Sequence, residues 1–283
     1  MVLFQPASGP TYVWEFGWYG GIENLFDVLY WVPAILSAIF ALFLLAAYLN
    51  DRKPAHFYWG ISFALLFINT HLLIFGGDYS AILDPVPSVT AALMIGFFAV
   101  GIVKNVKPDG TLGKYLTYYV LIMSLAIGFV KAPYFGIPEA IYPYVVMVVV
   151  MAVHVPSAAL IVWLPLTTRT ENGNSALVLP LGAILMSLIG ILLIVVIPQI
   201  NEINAAYALF EEYEEMFDDG LITQIQLDAY EVIRDAIIAE SSAILEPIFY
   251  AFPFVYLGAT VCFAWGTFVP KRWTFNIPGI ELE

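Results

Sequence analysis

Two histidines stand inside long apolar segments. His71 follows Asn69 and Thr70, and His154 precedes Pro156 and Ser157. An ionisable side chain surrounded by lipid is costly and marks a functional candidate. Imidazole ligates haem iron, contacts quinones and relays protons, so His71 and His154 are the candidate cofactor-binding residues. A haem held by both would need the two rings at one depth. His71 belongs to a segment that runs outward and His154 to one that runs inward. At about 1.5 Å of rise per residue, their heights differ by roughly 12 Å. That offset favours two separate interhelical hydrogen bonds over one shared haem or metal. His56, beside Arg52 and Lys53, reads as an interfacial residue.

A second constellation sits at the ends of apolar segments, on the side read below as outer. Asp84 stands with Pro85 and Pro87, Lys131 and Glu139 bracket a short loop, and Glu246 precedes Pro247. These four residues are expected to line an outer vestibule. Lys131 with a carboxylate forms either an interfacial ion pair or a ligand site. Tyr118, Tyr119, Tyr142 and Tyr144 read either as the wall of a pocket toward the outer half of the fourth and fifth apolar segments or as ordinary aromatic packing.

The third is the densest in charge. Residues 201–246 hold twelve Asp or Glu and one basic residue, Arg234, which gives −11 of the chain's −13. Glu211, Glu212, Glu214, Glu215, Asp218 and Asp219 form its core and are the candidate partner-docking residues. A surface of one sign steers a basic protein or cations at long range and loses that power in high salt. A solvated surface suited to a saline or acidic habitat has the same composition. The run Asp218-Asp219-Gly220 lacks the alternating oxygen ligands of a calcium loop.

Other chemistries find no residues. Cys262 is the single cysteine, so no internal disulfide or cysteine-based zinc site can form. The last apolar segment contains no lysine for a retinal Schiff base. No His box, phosphate-binding Gly-Lys loop or paired intramembrane carboxylates appear, nor an inverted repeat with broken helices. No catalytic residue, metal site or nucleic-acid-binding surface is expected, and no particular cofactor is named.

The elements that must position these residues follow from hydropathy. The chain is 61% hydrophobic and 12% charged, against about 25% charged in an average soluble domain. Seven apolar runs approach the roughly 20 residues a membrane-crossing helix needs. They are 28–49, 57–75, 82–103, 115–130, 141–164, 176–200 and 248–269. Unpaired backbone is not tolerated in lipid, so all are expected to be helices. The first run is expected to remain as a signal anchor, since 1–27 carries no basic residue.

Basic residues set the orientation. Eight of the ten (Arg52, Lys53, Lys104, Lys107, Lys114, Arg169, Lys271 and Arg272) fall on one side, and only Lys131 and Arg234 on the other. The first side is the cytoplasmic one. Of the seven Trp, 14, 18 and 31 fall near the outer surface and 59, 163, 265 and 273 near the inner one, as interfacial Trp should.

The expected fold is therefore all-α: a seven-helix, multi-pass membrane protein with an extracytoplasmic acidic helical hairpin between helices 6 and 7. Its parts are an outer aromatic and acidic segment (1–27), helices 1–6 (28–200), the acidic hairpin (201–246), helix 7 (247–270) and a cytoplasmic tail (271–283). Cell membrane is the expected location, with the N-terminus and hairpin outside. Within the hairpin, Ile203, Ala206, Phe210, Tyr213 and Phe217 form one helical seam, and Ile225, Ala229, Val232, Ala236, Ala239 and Ala243 a second. The bulky first seam is expected to face the small second one. Asp218-Asp219-Gly220 is the expected break, Pro198 the expected kink, and Pro247 the entry to helix 7.

Three functions compete. The leading one is a non-catalytic membrane subunit or scaffold, whose hairpin docks a partner in the membrane or at the outer surface. The second is a receptor-like ligand sensor signalling through a separate protein. The third is a redox (haem or quinone) or ion-coupled transport protein using His71, His154 or the vestibule. Membrane lipid is a partner in all three.

Overall fold

The computed structural model describes residues 25–76, 85–130, 141–167 and 175–268. Among these residues there are seven α-helices and no strand: α1 Leu25–Asp51, α2 Pro54–Gly76, α3 Pro85–Val106, α4 Thr111–Val130, α5 Tyr142–Thr167, α6 Ser175–Asp218 and α7 Gln224–Phe268. Proline opens α2 and α3, where its missing N–H costs nothing and its fixed φ suits the first turn.

The connections are tight where they are described. Between α1 and α2, Arg52 takes φ 57°, and its N–H bonds the Tyr48 carbonyl at 2.9 Å. That is the left-handed residue which commonly ends a helix. Asp51 then holds the turn, accepting from the Lys53 N–H at 3.0 Å and meeting His56 Nδ1 at 3.0 Å. Slight desolvation raises the Asp51 carboxyl. The Lys53 hydrogen bond and the charges of His56 and Lys53 outweigh that and hold it below its ordinary range.

Five described segments are long and apolar enough to cross a membrane: Trp31–Asp51, Ser88–Val106, Thr111–Phe129, Tyr144–Leu166 and the stretch within Gln224–Thr267. Among the described residues of α6 the apolar stretch is Val178–Ile189. Large apolar side chains cover the outside of the bundle, among them Leu42, Phe43, Ile122, Phe129, Val148 and Ile184. Water would not tolerate so large an apolar surface; the bundle has the build of a membrane-embedded protein.

Helices α1, α2, α3, α5, α6 and α7 close a ring, each packed on the next and α7 on α1. Helix α4 lies outside it, against α3 and α5. Aromatic rings fill the centre. Phe98 of α3 meets Phe263 of α7 with centroids 4.2 Å apart, and Trp59 and Phe63 of α2 pack on the same Phe98. Trp59 lies so close over Gly101 that a Cβ there would run into the indole. Small residues let apolar helices approach in this way where no hydrophobic gradient drives them together.

Helices α6 and α7 are twice the usual length. Each continues through a proline, Pro198 and Pro247 respectively. The acidic stretch is carried by the same helices that pack in the bundle. The turn joining them is held by backbone hydrogen bonds. Leu221 N–H reaches the Met216 carbonyl at 2.8 Å and Gly220 N–H reaches Phe217 at 2.9 Å, with Gly220 at φ +70°. This is the pattern that closes a helix with glycine in the left-handed region. Thr223 then opens α7, its N–H donating to Gln226 Oε1 at 2.9 Å, half of a capping box.

Candidate functional site

His154 lies on α5, nearly buried, with Nε2 3.1 Å from Ser187 Oγ of α6. Two residues on, Pro156 lacks the N–H that would have bonded the Ala152 carbonyl. The Tyr119 hydroxyl of α4 donates to that carbonyl instead. Ser157, a turn beyond His154, is fully buried and its hydroxyl meets no partner, as does that of Ser124 on α4. His71 lies in the last turns of α2, and its side chain is outside the described residues. Helices α2 and α5 both pack on α3.

Near His71 in sequence, a buried polar chain links three helices. Asn69 Nδ2 of α2 donates to Thr90 Oγ1 of α3 at 2.9 Å. The Tyr256 hydroxyl of α7 donates to Asn69 Oδ1 at 3.3 Å. Such a chain satisfies polar atoms that lipid cannot. Asn69 stood out in the sequence only as a neighbour of His71. Its partners Thr90 and Tyr256 carried no local signal, because the pairing spans up to 187 positions.

Of the vestibule residues, Asp84, Lys131 and Glu139 lie outside the described residues. Glu246 falls within α7, one residue before Pro247, and its side chain is not described. Among the described residues no three His, Cys, Asp or Glu gather as a metal would require.

The acidic stretch is the best defined of the three. Glu211, Glu212, Glu214, Glu215, Asp218 and Asp219 are all exposed. Beneath them α6 and α7 pack on each other. Tyr213 stacks on Tyr230, ring planes 11° apart. The Arg234 guanidinium lies 4.1 Å over the Phe210 ring. It donates to Asp235 at 2.8 Å and Glu231 at 3.1 Å. Ser241 donates to Glu202 at 3.3 Å. Desolvation pulls the guanidinium down, but the hydrogen bonds and charges of Asp235 and Glu231 prevail and hold it above its ordinary range. The stretch's one cation is thus only 5% exposed and fully engaged. Its outward charge is all negative.

The expected α6 seam is the one that packs: Ile203 and Ala206 are buried, and Phe210, Tyr213 and Phe217 partly so. The expected α7 seam is wrong. Ile225, Ala229, Val232, Ala236, Ala239 and Ala243 are all exposed. The inward face instead carries Tyr230, Arg234, Ile238, Ser241 and Leu245. The reason is area. A Tyr, an Ile, a Leu and the stem of an Arg bury far more apolar surface than four alanines and two β-branched residues.

No protein-family model, curated protein or solved structure matches this chain.

Proposed function

We propose that this chain is a non-catalytic integral membrane subunit, a scaffold for a larger complex. In this reading all seven helices cross the membrane, the N-terminus and residues 201–246 lie outside, and the C-terminus is cytoplasmic. The paired ends of α6 and α7 form an acidic hairpin that docks a partner through Glu211, Glu212, Glu214, Glu215, Asp218 and Asp219. One observation carries the reading: α6 and α7 run unbroken from the apolar bundle into a stretch whose acids face outward while its lone arginine is spent inside. A continuous helix pair is stiff, so a partner held at its tip is held in register with the membrane helices. A single-sign surface aligns such a partner before contact.

The test is native purification in mild detergent, with partners identified and an absorption spectrum taken on the same sample. Stoichiometric partners, held more weakly and with less salt dependence once the six acids are changed to Asn or Gln, are the expected result. A monodisperse lone chain refutes the subunit reading, and a Soret band reassigns the protein to redox chemistry. Orientation is tested separately. A cysteine introduced by Glu214→Cys, with Cys262→Ala, should react with an impermeant maleimide on intact cells.

A further inference from the structure

The face of α7 that turns away from α6 is apolar and uncovered. Ile225 is 81% exposed, Val232 69%, Ile233 51% and Ile244 40%. Exposed Ala229, Ala236, Ala239 and Ala243 lie between them. The spacing from Ile225 to Ala243 is 4-3-4-3-4, a run of about 27 Å at the rise of an α-helix. That alternation is the seam of a coiled coil. So α7 carries two stripes here, one packed on α6 and one exposed.

We propose that the open seam is the docking face, and that its occupant is an amphipathic helix of another protein bearing an aliphatic stripe bordered by Lys and Arg. The proposal rests on the docking function given above and names its face and partner chemistry. Charge selects the occupant. In coiled-coil geometry the positions bordering the seam are Gln226, Ile233 and Glu240 on one side and Asp228, Asp235 and Ser242 on the other. Every charged residue bordering the seam is acidic. A second copy in parallel register would set Asp235 against Glu240, and in antiparallel register acids would again meet acids. Arg234 pairs with Asp235 and Glu231 and is too buried to reach a second copy's carboxylates, which leaves Asp228 and Glu240 to carry the bordering charge. The chain's own residues 1–24 hold two Glu and no Lys or Arg. An anionic lipid surface would be repelled likewise. A basic-flanked helix meets both requirements at once.

The test uses the full chain in nanodiscs and a fluorescent 21-residue helical peptide with Leu and Ala at its seam positions and Lys and Arg beside them. Two controls are a peptide of the same composition with scrambled order and one with Glu for Lys and Arg. The patterned basic peptide should bind about tenfold more tightly than the scrambled one, and the Glu peptide should not bind. Val232→Asp and Ala236→Asp, both on exposed positions, should each weaken binding about tenfold, a step of 1.4 kcal/mol. Changing Glu211, Glu212, Glu214 and Glu215 together to Gln should cost less than about threefold and mainly flatten the salt dependence. Equal binding of patterned and scrambled peptides, or no binding of either, overturns the seam proposal. Loss only in the four-Gln variant overturns it too, yet leaves docking at the α6 acids standing. Self-association that Val232→Asp abolishes assigns the face to a second copy and overturns the proposal. Vesicle binding that Val232→Asp abolishes does the same for lipid, and peptide binding seen only after removal of residues 1–24 does so for that segment.

Discussion

Replacing Arg234 with alanine should loosen the paired ends of α6 and α7 without disturbing the bundle. The guanidinium sits 4.1 Å over the Phe210 ring and is only 5% exposed. A desolvated contact of this kind contributes about 1–2 kcal/mol. The two ion pairs add less, because the Glu231 and Asp235 side chains remain 35% and 43% exposed. Water screens them to about 0.5 kcal/mol each. The total is about 2–3 kcal/mol of local stability, which corresponds to about a thirty- to 150-fold rise in local opening. Hydrogen exchange on the protein in nanodiscs reads this directly. Amides of 201–246 should lose protection by that factor, and amides around Phe98 and Phe263 should keep theirs. Arg234→Lys preserves the charge but not the planar fork or the stacking, so it should fall between. Unchanged exchange in 201–246 after Arg234→Ala would show that the arginine is a passenger. Equal loss in the bundle would show that the two regions unfold as one unit. Either result refutes the account of a locally riveted helix pair.

Other expectations follow from single contacts. Tyr119→Phe removes the donor to the carbonyl that Pro156 leaves free and should cost about 1 kcal/mol. In a Pro156→Ala background, where the helix supplies its own N–H, the same change should be nearly neutral; a thermal double-mutant cycle in detergent measures the difference. Asn69→Leu breaks bonds to both Thr90 and Tyr256 and should destabilise by about 1–2 kcal/mol, against about 0.6 for Tyr256→Phe. A reversed order would show that the Tyr256 hydroxyl serves a partner other than Asn69. The Asp51 carboxyl, held below its ordinary value, stabilises the α1–α2 turn fully above the unfolded carboxyl's range. That contribution is lost as pH falls through the folded value. Asp51→Asn should lower the neutral plateau of a stability–pH curve by that contribution and flatten its acid limb, with little change at the acid end, where the carboxyl is already protonated.

The all-helical fold was legible because lipid leaves the backbone so few options. Runs of apolar residues announced every helix, and prolines and Asp-Gly signals marked the ends. The lengths of α6 and α7 were not legible. Pro198 read as a kink and Pro247 as the entry to a new helix, but a proline deep in a long helix removes one hydrogen bond and the neighbouring helix holds the rest in place. The polar contacts were also hidden. His154 could be read as seeking a partner, but nothing in the chain pointed to Ser187, 33 residues away. Tyr119 could have been found by asking which donor serves the carbonyl behind Pro156, since a buried carbonyl must be satisfied.

The misread seam of α7 is the most instructive failure, since both of its faces repeat every three and four residues. Periodicity tells that a stripe is apolar; it does not rank two stripes on one helix. The ranking comes from what each can bury. Tyr230, Arg234, Ile238 and Leu245 win the place against α6 because large side chains gain more from desolvation, and because Arg234 finds Phe210 and two carboxylates at once. The alanine-rich stripe then faces outward. A purely solvent-facing stretch has no need of Ile225, Val232, Ile233 and Ile244, whose exposure costs solubility and contributes nothing to the fold. Their presence among acids, on a helix rooted in the bundle, is what the proposed docking of a second helix would account for. In that proposal the acidic residues draw in a basic partner from a distance, and the aliphatic stripe decides which basic partner stays.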